Sequence, residues 1–599
     1  MDVVLIAPRE VPLRDKVLFR ENKVQNDYEN ITENTINFLF VKFLKDNLGI
    51  ASLAAYLREY GYTVTLFNSY LSHIATDELC ERIIAENPKI VGISLLYDLH
   101  LYNTCEIVKQ LRKKGYRGHI TLGGPFISLT YEYVLRGLGE VDSVIRGEGE
   151  MILLELINRL TNGKEWKTID GIAYKENDTV IVNKAGMYEK DLSRLPKVAR
   201  DMYEELFGML KKKNANTKVA SIYTSRGCKG KCTYCSAPKL GELTQEKWRC
   251  RSVESIVEEI KYLVDTFGVE YINIIDENFY GYGEEGKKRL YEFANTIISE
   301  NIQVKFWAEI RVDVKFEDEL FCLLKKAGLQ DVLLGLESGA QTALNRWKKG
   351  TTIEQNIKAI NYIRKMGFEL EPSFIMVDPY TDVKEFKETV NFIETMEIYN
   401  TRYPLNLINQ LIVFPGTEIE KQLVRDNIID KIDQDKITQI SDNDEDIFEF
   451  CQKTSSRNYE IVDPIIRSFW NILVSYTNKI AFFTDDFIMT YIRFCKDNFQ
   501  NSKGNYYKKV LHEFIVKAGK WRRNLGNLVM ALLKETIECT DAEYDSIEEL
   551  EERLHGQIRK RIHQYSNQHL GQDINDFMNN YISRVDFNCY INNDFSDYF

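Results

Sequence analysis

The chain has 599 residues, 44% apolar and 28% charged, an ordinary globular composition long enough for about three to four domains. No stretch approaches the roughly 18 uninterrupted apolar residues of a membrane span, and a formal charge of -12 without any long Lys/Arg block argues against general affinity for nucleic acid, which needs a basic surface to neutralise phosphate. Eleven cysteines, an odd number with three clustered, point to metal binding in a cytoplasmic chain rather than to a secreted disulfide framework.

The N-terminus, Met1 to Pro8, lacks a basic n-region, and its apolar run is too short for a signal peptide, so a first strand and a cytoplasmic location are expected. Apolar runs recur at Val3 to Ala7, Thr63 to Phe67, Ile90 to Leu96, His119 to Leu122 and Val141 to Ile145, with helical patterns between them. This alternation predicts a doubly wound, flavodoxin-like domain over residues 1–165, whose ligand site lies at the carboxyl ends of its parallel strands. Gly123-Gly124 and Gly147-Glu148-Gly149-Glu150 fall at such ends. The connection from Arg9 to about Lys45 is unusually long and is expected to carry function or a short helix.

Residues 166–215 read as a linker with a hairpin at Asn177-Asp178 and a polar end at Lys211-Lys212-Lys213. Over residues 216–425 strands are expected near Ser221 to Thr224, Tyr271 to Ile275, Val304 to Ile310, Val332 to Leu336, Ser373 to Val377 and Leu405 to Phe414, an α/β pattern of a partial six-stranded barrel. Ser252 is placed to cap a helix whose apolar face is Val253, Ile256, Val257, Ile260, Val264 and Phe267. Residues 426–599 are mostly helical, with Asp463-Pro464 opening one helix and Ala542 to His555 forming another. Phe469, Trp470, Leu473 and Tyr476 keep helical spacing and read as core.

The segment Arg226-Gly227-Cys228-Lys229-Gly230-Lys231-Cys232-Thr233-Tyr234-Cys235 puts three thiols on one loop directly after the first barrel strand. By chance such a spacing would arise roughly 0.004 times in a chain with this many cysteines. Catalytic groups converge at the carboxyl ends of barrel strands, and thiolates suit iron-sulfur clusters or zinc. Three of them would leave one iron of a four-iron cluster open to an amine and a carboxylate from a small molecule. A zinc site completed by Cys250 is the rival reading. The remaining cysteines (Cys80, Cys105, Cys322, Cys451, Cys495, Cys539, Cys589) are scattered and read as buried thiols, as does Cys250 if zinc is absent.

The C-x3-C-x2-C spacing with Tyr234 before the last cysteine resembles the radical S-adenosylmethionine superfamily. The resemblance extends to Ile275-Asp276-Glu277-Asn278-Phe279, Glu309-Ile310-Arg311-Val312-Asp313, Gly335-Leu336-Glu337-Ser338-Gly339 and Pro415-Gly416-Thr417. It implies that Cys228, Cys232 and Cys235 ligate a 4Fe-4S cluster, and that Tyr234, Asp276, Arg311, Glu337 and Ser338 contact S-adenosylmethionine. Asp276 and Glu309 are the candidates for catalytic groups. After the fifth strand the chain departs from the family's Gly-Pro turn, with Val377-Asp378-Pro379-Tyr380 instead.

The first domain is similar to the cobalamin-binding domain that precedes the barrel in one branch of that superfamily. Asn47 to Leu57 followed by Gly61-Tyr62-Thr63-Val64 resembles its first helix and second strand. Ser94, Leu96, Gly123, Gly124, Gly147 and Glu148 stand where the resemblance places cobalamin, and glycines there permit the close backbone approach that a bulky corrin needs. A nucleotide-binding or ligand-free flavodoxin-like domain is the alternative. Asp98-Leu99-His100 imitates a cobalt-coordinating motif but follows the third strand rather than the first, so His100 is read as a solvated loop histidine and cobalamin as bound without it.

Together these features imply a cobalamin-dependent radical enzyme. The leading expectation is a methyltransferase that uses a 5'-deoxyadenosyl radical and methylcobalamin on an unactivated carbon of a small-molecule, lipid or peptide substrate, with an external donor such as flavodoxin or ferredoxin. Ring contraction, cyclisation or carbon-carbon coupling in natural-product biosynthesis is the alternative from the same domain pair, and a cobalamin or redox sensor without turnover the non-enzymatic one. A methylthiotransferase is disfavoured because the first domain, with only Cys80 and Cys105, lacks a second cysteine triplet.

Overall fold

The computed structural model describes residues 1–11, 47–69, 74–203, 207, 218–401, 404–432, 437, 439–455, 457–482, 524–540 and 546–570. The long connection beyond Val11, the Lys211-Lys212-Lys213 end of the linker, residues 542–545, Cys495 and Cys589 lie outside the described residues.

Strands β1 (Val3–Ala7), β2 (Val64–Asn68), β3 (Ile90–Ser94), β4 (His119–Gly123) and β5 (Ser143–Ile145) run parallel in the order β2-β1-β3-β4-β5. This is the flavodoxin order, which puts the ligand crevice where the winding reverses beside β1 and β3. Every residue of β1 and β3 is buried, because helices cover both faces. Val4 and Ile6 enter one core, while Val3, Leu5 and Ala7 enter the other. The covering helices are α1 (Leu48–Glu59), α2 (Thr76–Glu86), α3 (Leu101–Lys113), α4 (Pro125–Gly137) and α5 (Glu150–Thr161). The hairpin expected at Asn177-Asp178 is present: β6 (Ile172–Glu176) and β7 (Thr179–Val182) extend the sheet antiparallel, and Asn177 takes the left-handed conformation that its turn requires, with φ 47°.

The second sheet holds β8 (Val219–Ile222), β11 (Tyr271–Ile274), β12 (Lys305–Arg311), β13 (Leu329–Glu337) and β14 (Glu369–Phe374), parallel in the order β14-β13-β12-β11-β8. A small antiparallel pair, β9 (Ser225–Arg226) with β10 (Arg249–Cys250), follows β8. Helices α6 (Val253–Phe267), α7 (Gly283–Ser299), α8 (Asp318–Lys326), α9 (Ile353–Lys365) and α10 (Val383–Thr395) return the chain between strands. Ser252 caps α6 as its sequence position suggests, its side chain accepting from the Ser255 N–H at 3.2 Å. At the sixth strand position, Pro404–Leu407 forms a short 3-10 turn, and a single parallel bridge joins Val377 to Gln410.

The helical segment after the barrel is shared between both sheets' cores. Helix α11 (Asp444–Thr454) packs on the first domain, where the ring of Phe450 occupies the space a side chain at Gly137 would need. Helices α12 (Pro464–Phe482), α13 (Leu525–Thr540) and α14 (Ile547–Leu570) pack on the barrel, with Phe469, Trp470, Leu473 and Tyr476 in its core. Among the described residues two thiols depart from expectation: Cys250 is half-buried, and Cys322 is exposed, because α8 turns Leu320, Phe321 and Leu324 inward and leaves it on the opposite face. Among the described residues, no helix is long and apolar enough to cross a membrane.

Candidate functional site

The carboxyl ends of β1, β3, β4 and β5 open on a cleft of about 290 Å³. Ser94, Leu96, Gly123, Gly124, Gly147 and Glu148 all line it. The facing wall comes from the barrel, through Tyr223, Ser225, Arg226, Ile275 and Glu277. Gly124 has φ 98°, and a Cβ there would lie 2.5 Å from the Leu95 carbonyl oxygen, so only glycine makes this turn and leaves the floor bare. Gly147, with φ 89°, donates its N–H to Ser128 Oγ at 3.0 Å. Bare backbone at Gly123, Gly124 and Gly147 among apolar side chains is a shape that admits a broad flat ring, and these residues fit cobalamin.

His100 is buried rather than solvated. Its Nδ1 accepts from the Leu96 N–H at 3.2 Å, and its Nε2 lies 3.8 Å from Glu10. The histidine thus braces the loop behind Leu96, and no histidine is among the residues lining the cleft.

On the barrel side, Asp276 organises the approach to the cysteines. Its carboxylate accepts from the Thr224 N–H and the Ser225 hydroxyl, both at 2.6 Å, and from the Thr224 hydroxyl. The chain then turns through Gly227, φ 88°, whose absent side chain makes room for the Lys247 carbonyl. Cys232 is buried, and Cys228 and Cys235 are half-buried. Backbone N–H groups of Gly230 and Ala237 point at the Cys228 and Cys235 sulfurs, at 3.3 and 3.4 Å. A Cβ at Gly230 would lie 3.2 Å from the Cys228 sulfur and 3.9 Å from that of Cys232, so the glycine keeps the space between them open. Among the described residues no three His, Cys, Asp or Glu side chains converge on one ion position. Three thiols, two of them with backbone N–H donors on their sulfurs, suit an iron-sulfur cluster.

Inside the barrel the period of β12 turns Phe306, Ala308 and Ile310 into the core and leaves Trp307, Glu309 and Arg311 on the concave face. Glu309, Leu333 and Glu371 stand in register across β12, β13 and β14. Burial, and next the neighbouring Glu337, push the Glu309 carboxyl up to about 8. Glu337 ends β13 with φ 66°, a strained conformation for a non-glycine residue, at a shift of register between Gly335 and Glu337. Its carboxylate accepts from Lys349 Nζ at 2.8 Å and Ser373 Oγ at 3.3 Å. Burial opposes the charge of Lys349, but Glu337 holds its ammonium above the ordinary range. Burial and then Glu337 likewise raise the Tyr234 hydroxyl, whose ring packs edge-on against Trp347. Arg311 forks onto Asp313 at 2.9 and 2.8 Å, with its remaining nitrogen beside the cluster loop.

Two residues face elsewhere. Ser338 is buried and turned toward α10, its oxygen accepting from the Ala340 N–H at 3.1 Å. Asp378, in the stretch that departs from the family's Gly-Pro turn, is fully buried and takes a two-toothed bond from Arg346 at 2.7 and 3.0 Å, plus the Trp347 indole N–H at 2.7 Å. It locks the segment that buttresses the cysteine loop, since Thr233 N–H donates to the Trp347 carbonyl.

Four residues escaped the reading of the sequence: Arg226, Arg249, Tyr282 and Lys349. Arg226, two positions before Cys228, reaches Glu148 at 3.0 Å and Glu150 at 2.8 Å, and Arg249 also pairs with Glu148. Burial disfavours the Glu150 charge, yet Arg226 holds its carboxyl below the ordinary range. Tyr282 bonds the Cys228 sulfur. Motif spacing alone announces none of these partnerships.

Comparison with known proteins agrees with this geometry. The model of the B12 binding domain matches residues 37–157, and that of the Radical SAM superfamily matches residues 222–393. An uncharacterized methyltransferase of Pyrococcus horikoshii is 28% identical over 398 residues, spanning 66% of this chain and 82% of that protein. The anaerobic magnesium-protoporphyrin IX monomethyl ester cyclase of Rubrivivax gelatinosus is 30% identical over 338 residues, 55% of this chain and 58% of that protein. Among solved structures, the cobalamin-dependent S-adenosylmethionine radical enzyme OxsB, with aqua-cobalamin and S-adenosylmethionine bound, superposes with a TM-score of 0.66 at 17% identity, covering 98% of this chain and 81% of that one. At that identity the likeness establishes the fold, including its helical C-terminal part.

Proposed function

Because the chain joins a B12 binding domain to a radical SAM domain and so belongs to the cobalamin-binding radical SAM enzymes, we propose that it is a methyltransferase acting on an unactivated carbon. The observation that carries this reading is the shared cleft, whose floor is the glycine-lined strand ends of the first domain and whose roof is the mouth of the barrel. When bound, the cluster would supply the electron that cleaves one S-adenosylmethionine to methionine and a 5'-deoxyadenosyl radical, and cobalamin, methylated by a second S-adenosylmethionine, would supply the methyl group.

The chain's own residues hold and orient. Cys228, Cys232 and Cys235 would hold the cluster, and three thiolates on four irons would leave one iron for S-adenosylmethionine. Arg311 is placed to pair with that carboxylate. Glu337, fixed by Lys349 and Tyr234, accepts from ribose hydroxyls beside the cluster. Asp276 and Ser338 act one step removed, by positioning the turn before the cysteines and the end of β13. Glu309, protonated at neutral pH, offers a hydrogen-bond donor to substrate without adding charge to the barrel. Ser94, Leu96, Gly123, Gly124, Gly147 and Glu148 would hold cobalamin, and the apolar side chain of Ile275 lines the same cleft from the barrel side. The substrate is a small molecule, a lipid or a peptide, and the electron comes from a carrier such as flavodoxin or ferredoxin. The methyltransferase relative of Pyrococcus horikoshii supports this reading.

The cyclase relative of Rubrivivax gelatinosus favours a second reading, cyclisation or carbon-carbon coupling on the same two cofactors. Anaerobic turnover of the reconstituted protein in a metabolite extract, with reductant and methyl-deuterated S-adenosylmethionine, separates them. Methyl transfer gives 5'-deoxyadenosine together with a product carrying the labelled methyl group. Release of 5'-deoxyadenosine with an unlabelled, rearranged product transfers the assignment to the second reading, and absence of 5'-deoxyadenosine removes both in favour of a sensor.

A further inference from the structure

The phenolic oxygen of Tyr282 lies 2.9 Å from the Cys228 sulfur and accepts from the Lys229 backbone N–H at 3.0 Å. A phenol has one proton to give. A cluster-ligating thiolate at Cys228 has no proton to give, so there the phenol is the donor and its proton is directed at the sulfur.

The ring is held in place on several sides. It packs edge-on against Trp248 with centroids 5.8 Å apart, and the Lys229 ammonium sits 5.3 Å from the Tyr282 centroid and 5.8 Å from that of Trp248. Gly281 (φ 73°) and Gly283 (φ 64°) flank it, and a side chain at Gly281 would strike the Trp248 ring at 2.6 Å. Tyr282 therefore has little freedom to leave Cys228, and it arrives from the start of α7, far from the cysteine loop in sequence.

We propose that Tyr282 is a positioning residue that donates a hydrogen bond to the Cys228 thiolate and raises the reduction potential of the cluster. A reduced cluster carries one more negative charge, spread in part over its sulfur ligands, so a fixed donor on one of them stabilises the reduced state more than the oxidised state. This rests on Cys228 being a cluster ligand, as in the proposed function, and adds to it a residue that sets how readily the cluster accepts its electron.

The test uses anaerobically reconstituted full-length holoenzyme and Tyr282→Phe, which keeps the ring and deletes the proton. Iron and sulfide content establish first that a cluster is bound, and a redox titration followed by electron paramagnetic resonance then gives its midpoint potential. The expected result is full iron content, a lower midpoint, and loss of one exchangeable-deuteron coupling to the reduced cluster in D2O. An unchanged midpoint at full iron content overturns the proposal while leaving Cys228 as a ligand. So does loss of iron with the residual cluster titrating at the wild-type potential, since Tyr282 would then only pack the loop. A wild-type protein that binds no cluster overturns the ligand assignment itself.

Discussion

Arg226, in the turn that leads into the cysteine triplet, donates to the carboxylate of Glu150 at the start of α5 across a gap of 2.8 Å. Glu150 is buried and is also held by the Ser52 hydroxyl at 2.7 Å. One guanidinium thereby fastens the strand before the cysteine loop to the loop that lines the glycine-floored cleft. Arg226→Gln strands a buried carboxylate and is expected to cost about 2–4 kcal/mol. Thermal unfolding should show the loss, and cobalamin retained after gel filtration should fall with it. Glu150→Gln with Arg226→Gln should cost less than the two singles summed; strict additivity would mean that the pair is not coupled.

Gly124 lines the cleft floor. Gly124→Ala must hold an L side chain at φ 98° against the Leu95 backbone, a strain of about 1–3 kcal/mol at the site. The expected result is cobalamin binding weakened at least tenfold, read from the corrin absorption of the bound fraction. Gly163 also has positive φ but faces open space, so Gly163→Ala is the control for backbone strain alone and should bind normally. Equal affinity in both variants would remove cobalamin from this floor.

The parts of the site that were legible in the sequence are those written in adjacent residues. The cysteine spacing, Gly123-Gly124 and the Ser252 cap each depend on a few neighbouring positions, and apolar runs between helical patterns placed the strands, except that the fifth barrel strand begins earlier, at Glu369, and the sixth is a 3-10 turn. What escaped joins distant segments: Arg226 with Glu148 and Glu150, Tyr282 with Cys228, and Lys349 with Glu337. Those pairs form only when sheet and loops close together, and nothing in local spacing encodes them. Side-chain direction at strand ends was the other blind spot. The register shift between Gly335 and Glu337 decides that Glu337 points into the barrel and Ser338 out of it, because a one-residue slip exchanges the faces of a strand. His100 was misread for a related reason, since its burial depends on how the Leu96 loop folds back over it.

In the proposed function, Cys228, Cys232 and Cys235 hold one cluster with a single open iron. Alanine at any of the three should therefore reduce iron and sulfide content to near zero, because two remaining thiolates hold a four-iron cluster poorly. Cys250→Ala, on the paired strand β10, should keep full iron content. Cobalamin binding should survive in all four variants, since its cleft floor belongs to the first sheet. Zinc recovered from the wild type, and lost on replacing Cys250, would instead establish the mononuclear site.

Glu309 provides the pH dependence. Its carboxyl titrates near 8 in the folded chain against an ordinary value of 4.5, so between those limits the folded protein holds a proton that the unfolded chain has released. Stability must then fall as pH rises through this window, by up to about 1.4 kcal/mol per pH unit, and become flat again above it. Glu277, Glu337, Glu371 and Lys349 face the group, and burial together with Glu337 outweighs the opposing pull of Lys349. Glu309→Gln keeps the shape and removes the titration. In cluster-loaded protein without S-adenosylmethionine, the variant should gain on the wild type steadily from pH 5 to pH 8, and the infrared band of a protonated carboxyl should be missing from it at pH 7. A stability difference that does not change with pH would place an ionised carboxylate at Glu309, and the barrel would then meet its substrate with a full negative charge in place of a hydrogen-bond donor.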